Sequence, residues 1–436
     1  MLTAEENELL CRVEGNAPMG QLMRRHWVPA LLTEEVPDKD SDPVPLRLFG
    51  EDLVAWRNTD GEIGLMDRYC PHRKASLHFG RNENNSLRCL YHGWKLNVKG
   101  EVVEMPSEPP ESCAARKVKV RSYPTHEHAG MVWAYMGPPE TMPEFQPPPF
   151  APFPDSKLSI IKIKIDCNWA QVLEGAIDSA HSSTLHSSDI TPAVGAGTQP
   201  QGMTFLRPST DKAPRIQVQP TDYGFKYAAL RRPIVNAATL DYVRMTVYVA
   251  PFTVLIPPNS QYNICNVNVP IDDTHTMFHF IGWVPGPDGG VDQDEYRKLM
   301  RATIGVDVNK RYEKTRTLAN DFLQDRVAMK EGNFTGITGI PYQDMAMWET
   351  MGPIADRTGE LLGASDQAVV QFRKLMLDAV NRFQSGGPAI GTIQSSPIPQ
   401  VAIRSYEGMM PKGADWRHLD IADAPAAKVE PEAEKV

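Results

Sequence analysis

The chain has 436 residues, too many for one ordinary hydrophobic core, and this length predicts two or three domains. Its 41% hydrophobic and 23% charged residues are typical of a soluble globular protein. The formal net charge of −9 argues against nucleic acid or an anionic membrane as the partner, and no apolar run approaches the ~20 residues of a membrane span.

The N-terminus and the cysteines predict a protein of the reducing cytoplasm. The chain begins with acidic residues instead of an apolar signal region, and Thr3 and Glu6 have the spacing of a capping box at a helix start. The cysteines are too scattered for a disulfide framework. They are Cys11, Cys70, Cys89, Cys113, Cys167 and Cys265.

Residues 45–150 predict a small all-β domain, preceded by an N-terminal helical segment, residues 1–44, that we expect to pack on the C-terminal domain. Strand-like apolar runs separated by turn residues occupy residues 46–49, 53–56 and 131–135, with a hairpin over 97–103. Eight prolines within residues 138–154 predict a stiff linker to the next domain.

Two short arms within this domain each carry one cysteine and one histidine. They are Cys70-Pro71-His72 and Cys89-Leu90-Tyr91-His92, and 16 residues separate them. A structural zinc site usually groups two cysteines on one arm and two histidines on the other. A Rieske [2Fe–2S] centre needs two thiolates on one iron and two imidazoles on the other, which this pairing provides. The alternatives are a zinc knuckle or four residues that never meet.

Residues 151–421 predict an α+β domain of the helix-grip type, an antiparallel sheet with helices packed against it. Strand-like runs occupy residues 158–165, 242–249, 262–269 and 277–284. One helical segment begins at about Trp169, and two more occupy residues 292–304 and 366–383. Residues 422–436, rich in Ala, Pro, Glu and Lys, predict a disordered tail.

A second cluster of possible ligands lies at the start of this domain. Glu174, Asp178 and His181 are spaced i, i+4 and i+7, so we expect them to share one helix face. The hydroxyl residues 182–184 favour local unwinding, which would bring His186 back toward His181. Two imidazoles and one carboxylate form the triad of non-haem Fe(II) oxygenases. A histidine pair alone is weak evidence for a metal site, and the iron–sulfur cluster predicted on the two Cys/His arms strengthens that evidence.

The third ligand of such a triad must come from farther along the chain. Asp321, Asp325 and Asp344 are the candidates. Asp325 is followed by Arg326 and Asp321 lies in the same segment, so both fit surface charges. Asp344 lies among apolar residues, where a buried carboxylate needs a partner.

The arms and the histidine pair, in this order, resemble the oxygenase α subunits of the Rieske non-haem iron, aromatic-ring-hydroxylating family. The resemblance implies a [2Fe–2S] cluster on Cys70, His72, Cys89 and His92, and mononuclear Fe(II) on His181, His186 and a carboxylate. Residues 343–366 resemble the phthalate-dioxygenase-like subgroup, which favours Asp344. Many family members have Asn after the glutamate of this helix, whereas Gly175 stands here.

The same resemblance implies a role for Asp178 and a set of partners. In that family the aspartate at this position connects the Rieske histidine of one subunit to the mononuclear iron of its neighbour, which makes His92 the exit for the electron. The implied partners are O₂, an electron-donating flavin/iron–sulfur reductase, and further copies of the chain in a trimer or stacked trimers.

The implied reaction is cis-dihydroxylation of phthalate, an aromatic ortho-dicarboxylate, at ring positions 4,5. A dicarboxylate needs arginine partners, and strand alternation places Arg244 on one polar-aromatic face with Tyr242, Thr246 and Tyr248. Arg207 is the second candidate, with Arg231 and Arg232 in reserve. Two alternatives stay open. One is a monooxygenase or O-demethylase acting on another aromatic carboxylate, and the other is a non-catalytic electron carrier or zinc protein.

Overall fold

The computed structural model describes residues 1–109, 111, 117–198, 205–257, 262–392, 394–396 and 398–421. The predicted disordered tail, residues 422–436, lies outside these ranges, as does Cys113. Among the helices in these ranges, none combines the length and the apolar composition needed to cross a membrane.

The described ranges contain both helices and strands, as the α+β prediction requires. The helices are α1 (Ala4–Cys11), α2 (Pro18–Met23), α3 (Trp169–Ala176), α4 (Gln293–Leu299), α5 (Arg326–Lys330), α6 (Ile340–Thr350) and α7 (Gln367–Gln384). The N-terminal strands are β1 (Trp27–Leu32), β2 (Val44–Leu48), β3 (Glu51–Arg57), β4 (Ile63–Asp67), β5 (Arg81–Glu83), β6 (Ser86–Arg88), β7 (Lys95–Asn97), β8 (Val102–Glu104), β9 (Thr125–His128) and β10 (Met131–Tyr135). The later strands are β11 (Lys157–Ile165), β12 (Ile190–Pro192), β13 (Gly197–Thr198), β14 (Phe205–Arg207), β15 (Arg215–Thr221), β16 (Gly224–Arg231), β17 (Leu240–Val249), β18 (Thr253–Ile256), β19 (Asn263–Pro270), β20 (Thr276–Val284) and β21 (Tyr406–Pro411).

The first 44 residues divide between the two halves of the molecule. The capping box of Thr3 and Glu6 is present at the start of α1, and helices α1 and α2 pack against α7 of the C-terminal half. Strand β1 differs from the helical prediction, because its apolar residues pair antiparallel with β10 instead. The segment therefore joins the N-terminal sheets to the C-terminal domain.

The Cys/His arms have a small hydrophobic core of their own. Three small antiparallel sheets, β2-β3-β4, β5-β6-β7-β8 and β1-β10-β9, form the N-terminal half. A separate buried cluster that includes Val54, Trp56 and Leu87 packs around Cys70 and Cys89. The strand predictions for this region are confirmed, and the predicted hairpin is formed by β7 and β8.

An eight-stranded antiparallel sheet forms the C-terminal domain. Its order is β11-β20-β19-β18-β17-β16-β15, and β21 pairs with β17 beside β18. Helix α3 packs on β18 and β19, and α7 packs on β15 and β16. The four strands predicted here are observed within one or two residues of their expected bounds. The sequence patterns missed β16, β21 and α6, and all three contribute residues to the site or to its immediate support.

Candidate metal centres and substrate cavity

The two Cys/His arms have the same backbone turn. In each arm the cysteine N–H donates to the carbonyl five residues on, and the residue four positions on donates its N–H back to the cysteine carbonyl, at 2.8–3.0 Å. Lys74 and Gly93 occupy this last position, with φ of 60° and 75°. Because the same turn follows Cys70 and Cys89, each arm presents one thiol and one imidazole to the space between them.

The arms bring their side chains together. The rings of His72 and His92 lie with centroids 4.4 Å apart, and His72 stacks on Trp94 at 4.6 Å. Both cysteines are buried, and burial raises the pKa of the Cys70 thiol to about 11. The Nδ1 atom of His72 is buried without a hydrogen-bond partner among the described residues. This buried ring nitrogen and the two buried thiols fit an iron–sulfur cluster, in which the nitrogen would coordinate one iron and the sulfurs would coordinate the other as thiolates.

The second group of predicted ligands lies just beyond helix α3, and not on it. The helix ends at Ala176, five residues before His181, so the prediction that Glu174, Asp178 and His181 share one helix face is wrong. Asp178 ends the regular hydrogen bonding, because its Oδ1 accepts the backbone N–H of Ala180 at 2.7 Å. His181 then begins a short 3-10 turn. Glu174 instead pairs with Arg357 and Arg373.

Three ligand atoms converge in this region from two separate parts of the chain. His181 Nε2 and His186 Nε2 lie 3.2 Å apart, and Asp344 Oδ1 on α6 lies 3.4 Å and 3.1 Å from them. Three atoms bound at right angles at about 2.1 Å from one metal ion would be about 3.0 Å apart. These three residues are the metal-competent group found among the described residues. The other two candidates are exposed: Asp321 lies in a turn and Asp325 caps α5.

The electrostatics of this group favour a cation at its centre. Burial opposes protonation of His181, but hydrogen bonds and attraction from Asp178 and Asp344 outweigh it and raise the pKa of His181 to about 10. Burial raises the pKa of the Asp344 carboxyl, yet the two histidines lower it far below its usual range. Asp344 Oδ1, although buried, has no hydrogen-bond partner among the described residues. A metal ion bound between the three residues would supply the positive charge that this arrangement favours.

Gln343 fixes the tautomer of His186, and the sequence patterns missed it. His186 Nδ1–H donates to Gln343 Oε1 at 2.7 Å, which leaves Nε2 unprotonated and free to bind a metal. The amide cannot rotate, because its Nε2 donates to Asp189 and to the carbonyl of Ile337. His181 has the corresponding support, since its Nδ1 lies 3.4 Å from Asp178 Oδ2.

Replacing Gln343 with leucine is expected to lower the affinity of the protein for Fe(II) about 10–100-fold, because His186 loses the acceptor that orients it. Equilibrium dialysis against Fe(II) measures the change. Gln324→Leu is the matched control, because the Gln324 side-chain amide donates to the Thr335 carbonyl and has no hydrogen bond to the triad among the described residues. Equal losses in the two variants would contradict this role for Gln343.

A cavity opens beside the triad and is lined by both of the arginines proposed from the sequence. Arg207 and Arg244 line it together with apolar side chains from five strands, β12, β14, β18, β19 and β20, and from α6. Of the predicted polar-aromatic face, Arg244 and Thr246 reach the cavity, whereas Tyr242 and Tyr248 do not, and Tyr227 of β16 takes their place. The reserve candidate Arg232 is exposed at the surface.

The three buried arginines around the cavity repel one another. Burial, reinforced by repulsion from Arg244, lowers the pKa of Arg207 to about 9 and that of Arg231 to about 10. Arg207 donates to the hydroxyls of Ser182 and Ser183, and Arg231 donates to the Ser179 carbonyl. Both guanidiniums therefore brace the loop that carries His181 and His186, and neither has a carboxylate partner among the described residues.

Gly175 is explained by a tryptophan of α6. A Cβ atom on residue 175 would overlap the indole nitrogen of Trp348. Trp348 lies one helical turn after Asp344 and also lines the cavity. Trp348 therefore leaves no room for a side chain at residue 175, where many family members have an asparagine.

Comparisons with known proteins agree with this geometry. Residues 26–124 match the family model of the Rieske [2Fe-2S] domain, and residues 134–435 match the LigXa C-terminal domain like family. The chain therefore belongs to the Rieske oxygenase family of aromatic-ring-hydroxylating enzymes, whose oxygenase subunits carry a [2Fe–2S] cluster and mononuclear iron and receive electrons from a separate component.

Two relatives and one solved structure show what the chain is similar to within this family. The chain is 60% identical to the phthalate 4,5-dioxygenase oxygenase subunit of Pseudomonas putida, over 96% of this chain and 94% of that protein. It is 35% identical to the 3-chlorobenzoate-3,4-dioxygenase oxygenase subunit of Comamonas testosteroni, over 95% and 97%. Dicamba monooxygenase bound to dicamba shares the fold, with a TM-score of 0.58 and 16% identity over 84% of this chain and 99% of that one.

Proposed function

We propose that the protein is the oxygenase component that cis-dihydroxylates phthalate at ring positions 4,5 with O₂ and electrons from a flavin/iron–sulfur reductase. The observation that supports this most strongly is the presence of two buried arginines in the wall of the cavity that also contains the His181, His186 and Asp344 triad. The relative named a phthalate 4,5-dioxygenase subunit, at 60% identity, points to the same substrate.

Two proposed sets of residues bind the metal centres. Cys70, His72, Cys89 and His92 would hold the cluster, and His181, His186 and Asp344 would hold the iron. When bound, these groups supply one-electron storage and O₂ activation. The protein's own part is to exclude water, to orient the His181 and His186 rings with their Nε2 atoms toward Asp344, and to hold the aromatic ring beside the triad.

Arginine and apolar side chains would orient the ring. Arg207 and Arg244 offer planar, multiply donating groups suited to the two adjacent carboxylates of phthalate. Phe278, Phe280 and Ile340 provide apolar surface on the same cavity wall. A ring held by its carboxylates at the arginines would direct its opposite edge, which contains positions 4 and 5, away from them. This geometry would produce the regiochemistry of the proposed reaction.

Asp178 would link two subunits. A quarter of its side chain is exposed while it contacts His181, and His92 is partly exposed at the tip of its arm. In a trimer, Asp178 would accept a hydrogen bond from His92 of the partner subunit and would orient His181 at the same time. We also propose the reducing cytoplasm as the compartment of the protein, on the scattered cysteine positions of its sequence.

A monooxygenase or O-demethylase acting on another aromatic carboxylate is the second candidate. The chain is 30% identical to the 5,5'-dehydrodivanillate O-demethylase oxygenase subunit of a Sphingobium strain, over 92% of this chain and 87% of that protein. Both reactions use the same triad, so the arginine pair and the closer relative are what favour dihydroxylation.

Turnover of phthalate with a reductase under ¹⁸O₂ separates the two candidates. We expect one product, a cis-dihydrodiol that contains both labelled atoms and retains both carboxylates. Mass spectrometry of the product measures the label, and a parallel reaction with a methoxybenzoate tests demethylation. A product with one labelled atom, or formaldehyde release from the methoxybenzoate without phthalate turnover, would favour the second candidate.

A further inference from the structure

We propose that Glu407, a residue behind the cavity wall, is an internal counter-ion that fixes the charge of the arginine cluster at +2 and so tunes the cavity to a dianion. This inference deepens the proposed function and rests on it. Glu407 lies on β21, directly opposite Arg244 of β17 in the antiparallel register. It does not line the cavity.

The contacts of Glu407 are those of a counter-ion. Its Oε2 lies 3.4 Å from Arg244 Nη1 and accepts no hydrogen bond from the described residues, while the Tyr242 hydroxyl donates to its Oε1. Only 5% of its side chain is exposed. Burial raises the pKa of Glu407 above its usual value, and attraction from Arg244, the hydrogen bond from Tyr242, and attraction from Arg207 and Arg231 limit the rise. The arginines therefore favour the charged form of this carboxyl.

The charge of the cluster follows from simple addition. Three buried guanidiniums, Arg207, Arg231 and Arg244, contribute +3, and Glu407 contributes −1, which leaves +2. Among the ion pairs of the described residues, the Arg244–Glu407 pair is the one that these arginines make. In a medium of low dielectric constant the cost of an unbalanced charge grows steeply with its size. A dianion brings the cluster to zero, whereas a monoanion or a trianion leaves one unbalanced charge.

The same charge balance affects release of the product. The proposed dihydrodiol keeps both carboxylates, so it is a dianion like phthalate. A cluster of +3 would hold the dianionic product more tightly than a cluster of +2. Glu407 would therefore lower the affinity for the product and so speed its release. It is a positioning residue, because it acts through Arg244.

Four variants of the reconstituted holoenzyme test the effect of the cluster's charge. Glu407→Gln gives +3, Arg231→Gln gives +1, and the double variant restores +2. Tyr242→Phe removes a hydrogen bond to Glu407 without changing any formal charge, and it is the matched control. The probes are benzoate, phthalate and benzene-1,2,4-tricarboxylate, which carry one, two and three negative charges at pH 8.

We expect Glu407→Gln to tighten binding about 3-fold for the monoanion, 10-fold for the dianion and 30-fold for the trianion, because each ligand charge gains the same increment. Isothermal titration calorimetry measures these affinities. Arg231→Gln should weaken binding in the same graded way, and the double variant should return the dependence on ligand charge to that of the unmodified protein. For phthalate turnover by Glu407→Gln, KM and kcat should both fall.

Gains that are equal for the three ligands, or an unchanged phthalate affinity in Glu407→Gln, would overturn the inference. A graded effect in Tyr242→Phe would also overturn it, because that variant keeps the charge. If Glu407→Gln does not fold, the graded loss in Arg231→Gln and its reversal in the double variant decide the matter. Failure of the unmodified protein to bind phthalate would refute the proposed function instead, and the other two ligands would still test the charge of the cluster.

Discussion

Replacing Asp344 with alanine is expected to empty the mononuclear site and abolish turnover while the visible spectrum of the cluster stays unchanged. Asp344 supplies the only carboxylate of the triad, and its Oδ1 lies within 3.4 Å of both histidine Nε2 atoms. Outer-shell partners of a metal ligand are worth about 10–100-fold in affinity, so loss of a ligand should cost more than ~100-fold.

The measurement is an iron count together with an absorption spectrum. Two cluster irons and one mononuclear iron predict about three irons per chain in the unmodified protein and about two in Asp344→Ala. Asp325→Ala is the matched control, because Asp325 is exposed and caps α5 through two backbone N–H groups. The control should lose about 1 kcal/mol of stability and keep its iron. An unchanged iron count in Asp344→Ala would refute the assignment.

The two ligand groups differ in how far the sequence could predict them. The Cys/His arms could be predicted because each is a single turn whose ligands are two or three residues apart. The triad joins His186 to Asp344, which are far apart in the chain, and only the packing of α6 beside the 3-10 turn brings them together. Apolar neighbours and the family resemblance already favoured Asp344 in the sequence, and in the structure the other two candidates, Asp321 and Asp325, are exposed.

The local error at Asp178 has a physical cause. The spacing of Glu174, Asp178 and His181 fits a helix, but the Asp178 side chain captures the N–H of Ala180 and the helix ends before it. An aspartate followed by Ser179 was the available signal, since both residues favour turns over helix interiors.

Residues that support the site from distant strands left no pattern in the sequence. The residues of β16 do not alternate between polar and apolar types as those of its neighbour β17 do, although both strands are buried. Glu407 belongs to β21 (Tyr406–Pro411), which pairs with β17 (Leu240–Val249) across 156 residues of intervening chain. Its partnership with Arg244 depends on sheet register, which the sequence patterns do not specify.

Replacing Arg244 with methionine is expected to raise the KM for phthalate by about 10–150-fold, with a much smaller effect on a neutral arene. Loss of a hydrogen bond to a charged group costs about 1.5–3 kcal/mol, and each 1.4 kcal/mol is a factor of ten in affinity. Only 6% of the Arg244 surface is exposed, so water cannot replace its hydrogen bonds to a carboxylate. Steady-state kinetics with phthalate and with toluene give the two KM values.

The matched control for this substitution is Arg215→Met. Arg215 is the exposed arginine of β15, and it pairs with Asp241 outside the cavity. Its replacement should leave both KM values within about twofold, because surface ion pairs are worth about 0–1 kcal/mol. Similar increases for phthalate and toluene in Arg244→Met would show that the variant damages the cavity in general and would argue against a carboxylate clamp.

Part of the loss in Arg244→Met should come from Glu407, and a double variant can separate that part. Without Arg244, Glu407 remains as a buried carboxylate with no ion-pair partner, and it repels the dianion from the cluster. Adding Glu407→Gln removes this repulsion and returns the charge of the remaining arginines to +2. We therefore expect the double variant to recover about tenfold in phthalate KM relative to Arg244→Met. The remaining deficit measures the direct contacts of Arg244 with the substrate, because the charge of the cluster is then that of the unmodified protein.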